Sequence, residues 1–149
     1  MPLLRLHLLR HGQTISSRGN LFCGRRLDPP LTEEGLAMAA SFAAAYRERR
    51  WAGLYSSPLD RAVTTAQPLA DAVGMPVQTR DGLAEIDYGA WDGLSAPEVA
   101  EQFPIEYARW MGIQRGTRRR EAKRPSRWRS ASRASSRRSS TLITTAGTS

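Results

Sequence analysis

The sequence predicts an α/β protein, a three-layer α/β/α sandwich built around a mostly parallel sheet. Three observations carry that expectation. Leu3, Leu4, Leu6, Leu8 and Leu9 form a short, mostly apolar run, the pattern of a strand buried on both faces. Short strand-like segments then alternate with helical ones, which implies a layered sheet with helices packed on it. Helix start and stop signals fall between the segments, so the alternation is punctuated and not an average over composition.

The first strand ends at Arg10-His11-Gly12. Pro29-Pro30 close a loop, after which Thr32 can cap a helix whose first turn holds Glu33 and Glu34, favoured there by the helix dipole. Leu36, Ala39, Ala43 and Tyr46 would share the inner face of that helix, with Arg47, Arg49 and Arg50 at its carboxyl end. Residues 51–55 suit a second strand. Ser57-Pro58 reads as an N-cap followed by proline at the first helical position. Val63, Ala66, Ala70 and Val73 make the apolar stripe of the helix that follows, Pro68 predicts a kink in it, and Gly74 supplies its stop. Residues 76–79 suit a third strand. Ser95-Ala96-Pro97-Glu98 fits a capping box before a short helix carrying Val99 and Phe103.

Charge divides the chain. It has 149 residues with 22 Lys+Arg against 14 Asp+Glu, a formal charge of +8. Residues 1–112 hold 11 Arg and 13 acids, whereas residues 113–149 hold 11 Lys+Arg and the single acid Glu121. The second stretch also has 13 Ser+Thr in 37 residues, too little apolar surface to offset an ordering cost of about 1–2 kcal/mol per residue. The expectation is therefore a folded domain over residues 1–112 and a disordered basic Arg/Ser-rich tail over residues 113–149. No window reaches the roughly 18 apolar residues that would span a bilayer. The lone Cys23 cannot form an internal disulfide, and residues 1–9 read as a strand and not as a signal peptide, so the cytoplasm is the expected compartment. No cluster of His, Cys and acids has coordinating spacing; neither a metal nor another cofactor is expected.

In parallel sheets chemistry gathers at the carboxyl ends of strands, here Arg10-His11-Gly12 and Ser56-Ser57. A neutral imidazole can attack phosphorus through one ring nitrogen when a carbonyl holds the proton on the other. Gly12 lets the backbone turn beside the ring, and a guanidinium grips phosphate oxygens with parallel donors. A partly buried histidine at a strand end is the plain alternative for these three residues taken alone.

Four blocks in order extend the pattern. They are Leu9-Arg10-His11-Gly12-Gln13-Thr14, Asp28-Pro29-Pro30-Leu31-Thr32-Glu33-Glu34-Gly35, Ser56-Ser57-Pro58-Leu59-Asp60-Arg61-Ala62-Val63-Thr64-Thr65-Ala66 and Glu85-Ile86-Asp87-Tyr88-Gly89-Ala90-Trp91-Asp92-Gly93. Together they resemble the histidine phosphatase superfamily, in its phosphoglycerate mutase-like branch, over residues 4–111. The resemblance implies that His11 becomes phosphorylated while Arg10 and Arg61 clamp the phosphate. Arg61 would do so from the first turn of a helix whose positive end faces the anion. Glu85 would protonate the leaving alcohol or activate water, a role that asks for partial burial. Thr14, Ser17, Cys23, Gly24 and Tyr88 fall where the family lines its substrate pocket. Ser17 stands where asparagine is frequent and Cys23 where glutamine is frequent, which puts substrate identity in doubt. His7 is expected to pack in or beside the first strand, and Cys23 to be inert.

The resemblance also implies a second histidine on a later strand, and this chain has only His7 and His11. The expected outcome is a phosphomonoesterase acting through phosphohistidine on a small phosphorylated substrate, impaired by that lack, with a sheet incomplete at its C-terminus. A phosphoglycerate-type mutase is the runner-up, and a non-catalytic phosphate- or nucleic-acid-binding remnant the third reading. Arg118-Arg119-Arg120 and the Arg/Ser pairs would bind nucleic acid without sequence readout. Synonymous codons for residues 117–129 exist whose shifted frame encodes a family-like Gly-Gly-Glu segment. A frameshift near Gly112 is thus expected, and the coding DNA would decide it.

Overall fold

The computed structural model describes residues 3–122 and 141–147. In chain order the elements are β1 (Leu3–Leu9), α1 (Ile15–Arg18), α2 (Glu33–Tyr46), β2 (Gly53–Ser56), α3 (Asp60–Val73), β3 (Val77–Thr79), α4 (Ala96–Gln102), α5 (Pro104–Ala122) and β4 (Thr141–Gly147). The strands form one sheet in the order β1-β4-β2-β3. β4 runs antiparallel to both β1 and β2, and β2 is parallel to β3, so β1, β2 and β3 share one direction. The α/β class and the mostly parallel sheet stand.

The core lies on one face of that sheet. Ala43 of α2, Trp51, Leu54 of β2, and Leu69 and Ala70 of α3 are buried together, with Leu9, Phe42, Tyr46, Val73, Met75 and Val77 packed around them. β1 alternates: Leu9 enters this core, while Leu4, Leu6 and Leu8 on the opposite face are 61%, 55% and 68% exposed. The sandwich is therefore open over β1 among the described residues, and the expectation of a strand buried on both faces holds for one face.

Several local expectations stand. Thr32 caps α2 by accepting from the Gly35 N–H at 3.1 Å. Gly74 ends α3 with φ +67°, in the left-handed region. Glu98 Oε2 accepts from both the N–H and the hydroxyl of Ser95 at the start of α4. α3 continues through Pro68 to Val73.

Others need correction. The inner face of α2 is Gly35, Ala39 and Ala43, while Leu36 is exposed. The cause is a backbone crossing. A Cβ on Gly35 would collide with the Gln13 carbonyl, and one on Gly12 would sit 2.5 Å from the Gly35 oxygen. α3 begins at Asp60 with Leu59 as its N-cap, not at Pro58, because Leu59 is still extended at φ −68°, ψ 135°. The expected basic tail contributes two elements: α5 runs past Gly112 to Ala122, and Thr141–Gly147 is a strand. Arg, Gln, Glu and Ala are good helix formers whatever their net charge, and Thr and Ile favour strands. An average over the stretch conceals both. Residues 123–140 lie outside the described residues. No helix among the described residues is long and apolar enough to cross a membrane.

Candidate active site

The site is assembled where β1 and β2 end and α3 begins. The His11 Nδ1 lies 2.7 Å from the Gly12 carbonyl oxygen. A carbonyl only accepts, so this nitrogen carries the proton and the Nε2 lone pair is left available. Burial pushes the His11 imidazole below its ordinary pKa of 6.5, and the Arg10 and Arg61 charges add to that; the Gly12 bond and Asp28 oppose it. The neutral ring is the favoured form, which a nucleophile needs.

Gly12 is itself held by α3. Its N–H donates to Thr65 Oγ1 at 2.9 Å, and that hydroxyl donates to the Arg61 carbonyl at 2.7 Å. Thr65 and Arg61 are one helical turn apart, so they share the α3 face turned toward the end of β1. Threonine also ties the next loop in. The Thr32 N–H donates to the Gln13 carbonyl at 2.8 Å, fixing the start of α2 beside the residues that follow His11.

An open cleft here is lined by His11, Ser57, Leu59, Arg61, Ala62, Leu83 and Glu85. Three of the four sequence-nominated catalytic residues thus meet in one place. Arg61 is 1% exposed, and Glu85 is 7% exposed with Oε1 accepting from the Ile86 N–H at 3.0 Å. The burial asked of Glu85 is present. Arg10 is the exception: it is exposed and does not line the cleft, although its charge acts on the His11 ring.

The pocket candidates take other places. Thr14 is fully buried and caps α1: its Oγ1 accepts from the Ser17 N–H at 3.1 Å, while Ser17 Oγ accepts from the Thr14 N–H at 2.8 Å. Each of these side chains is engaged with the backbone of the other residue. The Cys23 thiol donates to the Leu27 carbonyl at 3.2 Å, and burial pushes it above its ordinary pKa, so a thiolate is disfavoured. Gly24 is buried against residues 86–88, with its N–H donating to Asp92 Oδ1 at 2.6 Å. Tyr88 packs edge-on against Phe22 at 5.1 Å. His7 stands edge-on to Tyr46 and Trp51, as a packing residue. Among the described residues no group of three or more His, Cys, Asp or Glu could hold a metal.

Sequence reasoning left two side chains unassigned. Ser57 lines the cleft, and its position at a strand end was the available signal. Asp28 binds Arg61 and the start of α3. It sits within the Asp28-Pro29-Pro30 block, which gave it no role of its own.

The profile of the histidine phosphatase superfamily (branch 1) matches residues 6–144. The chain belongs to the histidine phosphatase superfamily. Over 109 residues the chain is 44% identical to a bifunctional protein of Mycobacterium tuberculosis, covering 72% of the chain and 29% of that relative. It is 34% identical to phosphoserine phosphatase 1 of Hydrogenobacter thermophilus, covering 73% of the chain and 51% of the relative. It is also 40% identical to a 2,3-bisphosphoglycerate-dependent phosphoglycerate mutase of Bartonella quintana, over 66% and 50% of the two. The structure superposes on a mycobacterial glucosyl-3-phosphoglycerate phosphatase with a TM-score of 0.64 and 32% identity, over 72% of this chain and 51% of that one. The chain spans about half the length of these last three relatives.

Proposed function

We propose that the chain is built to hydrolyse small phosphomonoesters through a phosphohistidine on His11. The observation that carries the reading is the Nδ1 bond to the Gly12 carbonyl, which leaves Nε2 as the nucleophile in a cleft shared with Arg61 and Glu85. In the first step Nε2 forms a bond to phosphorus, the ester P–O bond breaks, and Glu85 gives its proton to the departing alkoxide. In the second step Glu85 takes a proton from water, whose oxygen displaces the histidine and releases inorganic phosphate. Arg61 neutralises charge on the phosphoryl oxygens in both steps. Arg10 contributes from the exposed side as a second cation.

The rate is set low. The chain has no third histidine to stand opposite His11, and loss of one well-placed donor costs about 10²–10³ in rate. The 40% identity to a mutase supports a second reading, in which a hydroxyl of a second molecule replaces water as acceptor. Both readings share the first half-reaction. Hydrolysis of p-nitrophenyl phosphate by the full chain, compared with His11→Ala, tests them. Turnover and an acid-labile phosphoryl label that vanish together in the variant support the proposal. Phosphate binding without turnover in both proteins would mark the site as a binder alone.

A further inference from the structure

Arg61 heads the largest fully buried side chains, an unusual place for a cation. Its Nη1 donates to the Leu27 carbonyl at 2.7 Å and to Asp28 Oδ1 at 3.0 Å, and its Nη2 donates to the Gly24 carbonyl at 3.3 Å. A guanidinium has five N–H donors in a rigid planar fork. Both Nη1 hydrogens and one on Nη2 are thereby engaged with the 24–28 loop. The Nε–H and one Nη2 hydrogen remain for oxygens of an anion in the cleft.

Asp28 does more than neutralise this group. Its Oδ2 accepts from the Asp60 N–H at 2.6 Å and its Oδ1 from the Arg61 N–H at 3.3 Å. These are first-turn donors of α3, and their capture corrects the expectation that the positive end of this helix is open to the substrate. Asp28 occupies that end instead. One carboxylate therefore joins the loop, the helix start and the guanidinium of the same residue.

We propose that Asp28 is a positioning residue, locking the first turn of α3 to the Arg61 guanidinium so that its remaining N–H donors address a phosphoryl group at His11. It does not line the cleft, so it acts through Arg61 and not on substrate. The proposal rests on the phosphohistidine reading for the identity of the anion, but the locked guanidinium can be observed without any anion.

The test uses the full chain with orthovanadate as the probe. Asp28→Asn keeps the size of the side chain and one acceptor, and loses the charge and the second acceptor. Its expected effect is a vanadate affinity lower by roughly tenfold to a hundredfold, the range for one buried polar partner lost. Asp28→Glu, which keeps the charge, should recover part of it. In an Arg61→Lys background Asp28→Asn should have no further effect, because the group it orients is gone. The nitrogen-15 NMR signals of His7, packed inside β1 against Tyr46 and Trp51, report that each variant is folded. Wild-type affinity in a folded Asp28→Asn protein, or full additivity with Arg61→Lys, would overturn the proposal. If the wild-type chain binds no vanadate, the phosphohistidine reading fails and the positioning claim is decided by the Arg61 Nη protons. Hindered rotation about Cζ–Nη1 in the wild type that is released in Asp28→Asn supports it; free rotation in the wild type refutes it. The wild-type signals also decide the matter if neither variant folds.

Discussion

His7, inside β1, and His11, two residues beyond its end, stand four residues apart and have become different chemical objects. Inside β1, His7 stands edge-on to two rings, Tyr46 at 5.8 Å and Trp51 at 5.3 Å, and its work is packing. His11 donates from Nδ1 to a carbonyl oxygen, which leaves Nε2 unprotonated, and its side chain lines the cleft. Burial lowers the pKa of both imidazoles, with nearby arginines adding to it in each case: Arg49 and Arg5 at His7, Arg10 and Arg61 at His11. A depressed histidine pKa is therefore no marker of catalysis in this protein. The distinction lies in the directional bond that fixes the tautomer and in the acids and cations that share the open side.

The comparison breaks most visibly at His11. His11→Ala should lower turnover of p-nitrophenyl phosphate by at least about 10³-fold, measured as initial rates with the protein folded by circular dichroism. His7→Ala should leave kcat within about twofold and instead lower the thermal midpoint, since it removes ring packing alone. Next in size is Gly12→Ala. Its Cβ would lie 2.5 Å from the Gly35 oxygen, so α2 must shift, at a cost of about 1–3 kcal/mol in urea unfolding and with loss of the His11 geometry.

A pH series sharpens the same contrast. For both histidines the unfolded chain holds its proton more tightly than the folded one. Their contribution to stability is therefore complete above the unfolded value near 6.5 and declines as pH falls through and below it. Phosphoryl uptake by His11 should persist below pH 6.5, where an ordinary histidine would already be protonated; a midpoint at or above 6.5 would contradict the lowered value. The smallest effect is expected on the uncovered side of β1. Leu6→Thr should change stability by no more than about 0.5 kcal/mol, because that side chain is already largely in solvent.

Much of the scaffold was legible. The apolar run of β1, the Thr32 cap, the Gly74 stop and the Ser95–Glu98 box are local devices whose partners lie within a few residues, so their physics is written in short windows. The meeting of His11, Arg61 and Glu85 was legible through four blocks in order, each near the end of an element. What escaped was long-range. Asp28 lies 32 residues before the Asp60 N–H that it accepts from, and no local pattern distinguishes a helix-capping carboxylate at that distance from a loop acid. Gly35 replaced Leu36 on the inner face of α2 because another backbone passes there, which periodicity does not register. β4 entered the sheet from a stretch whose mean composition reads as basic and polar.

By itself, then, the order of residues determined the alternation of strands and helices and the kinds of side chain placed at their ends. Propensity, capping and apolar period act over one or two turns. Only the tertiary structure decided which histidine faces a cleft, which arginine is buried and held by a carboxylate, and which face of β1 is left in water. Each of those outcomes depends on a group brought from far along the chain, and directional hydrogen bonds and close backbone approach exist only once the chain has folded.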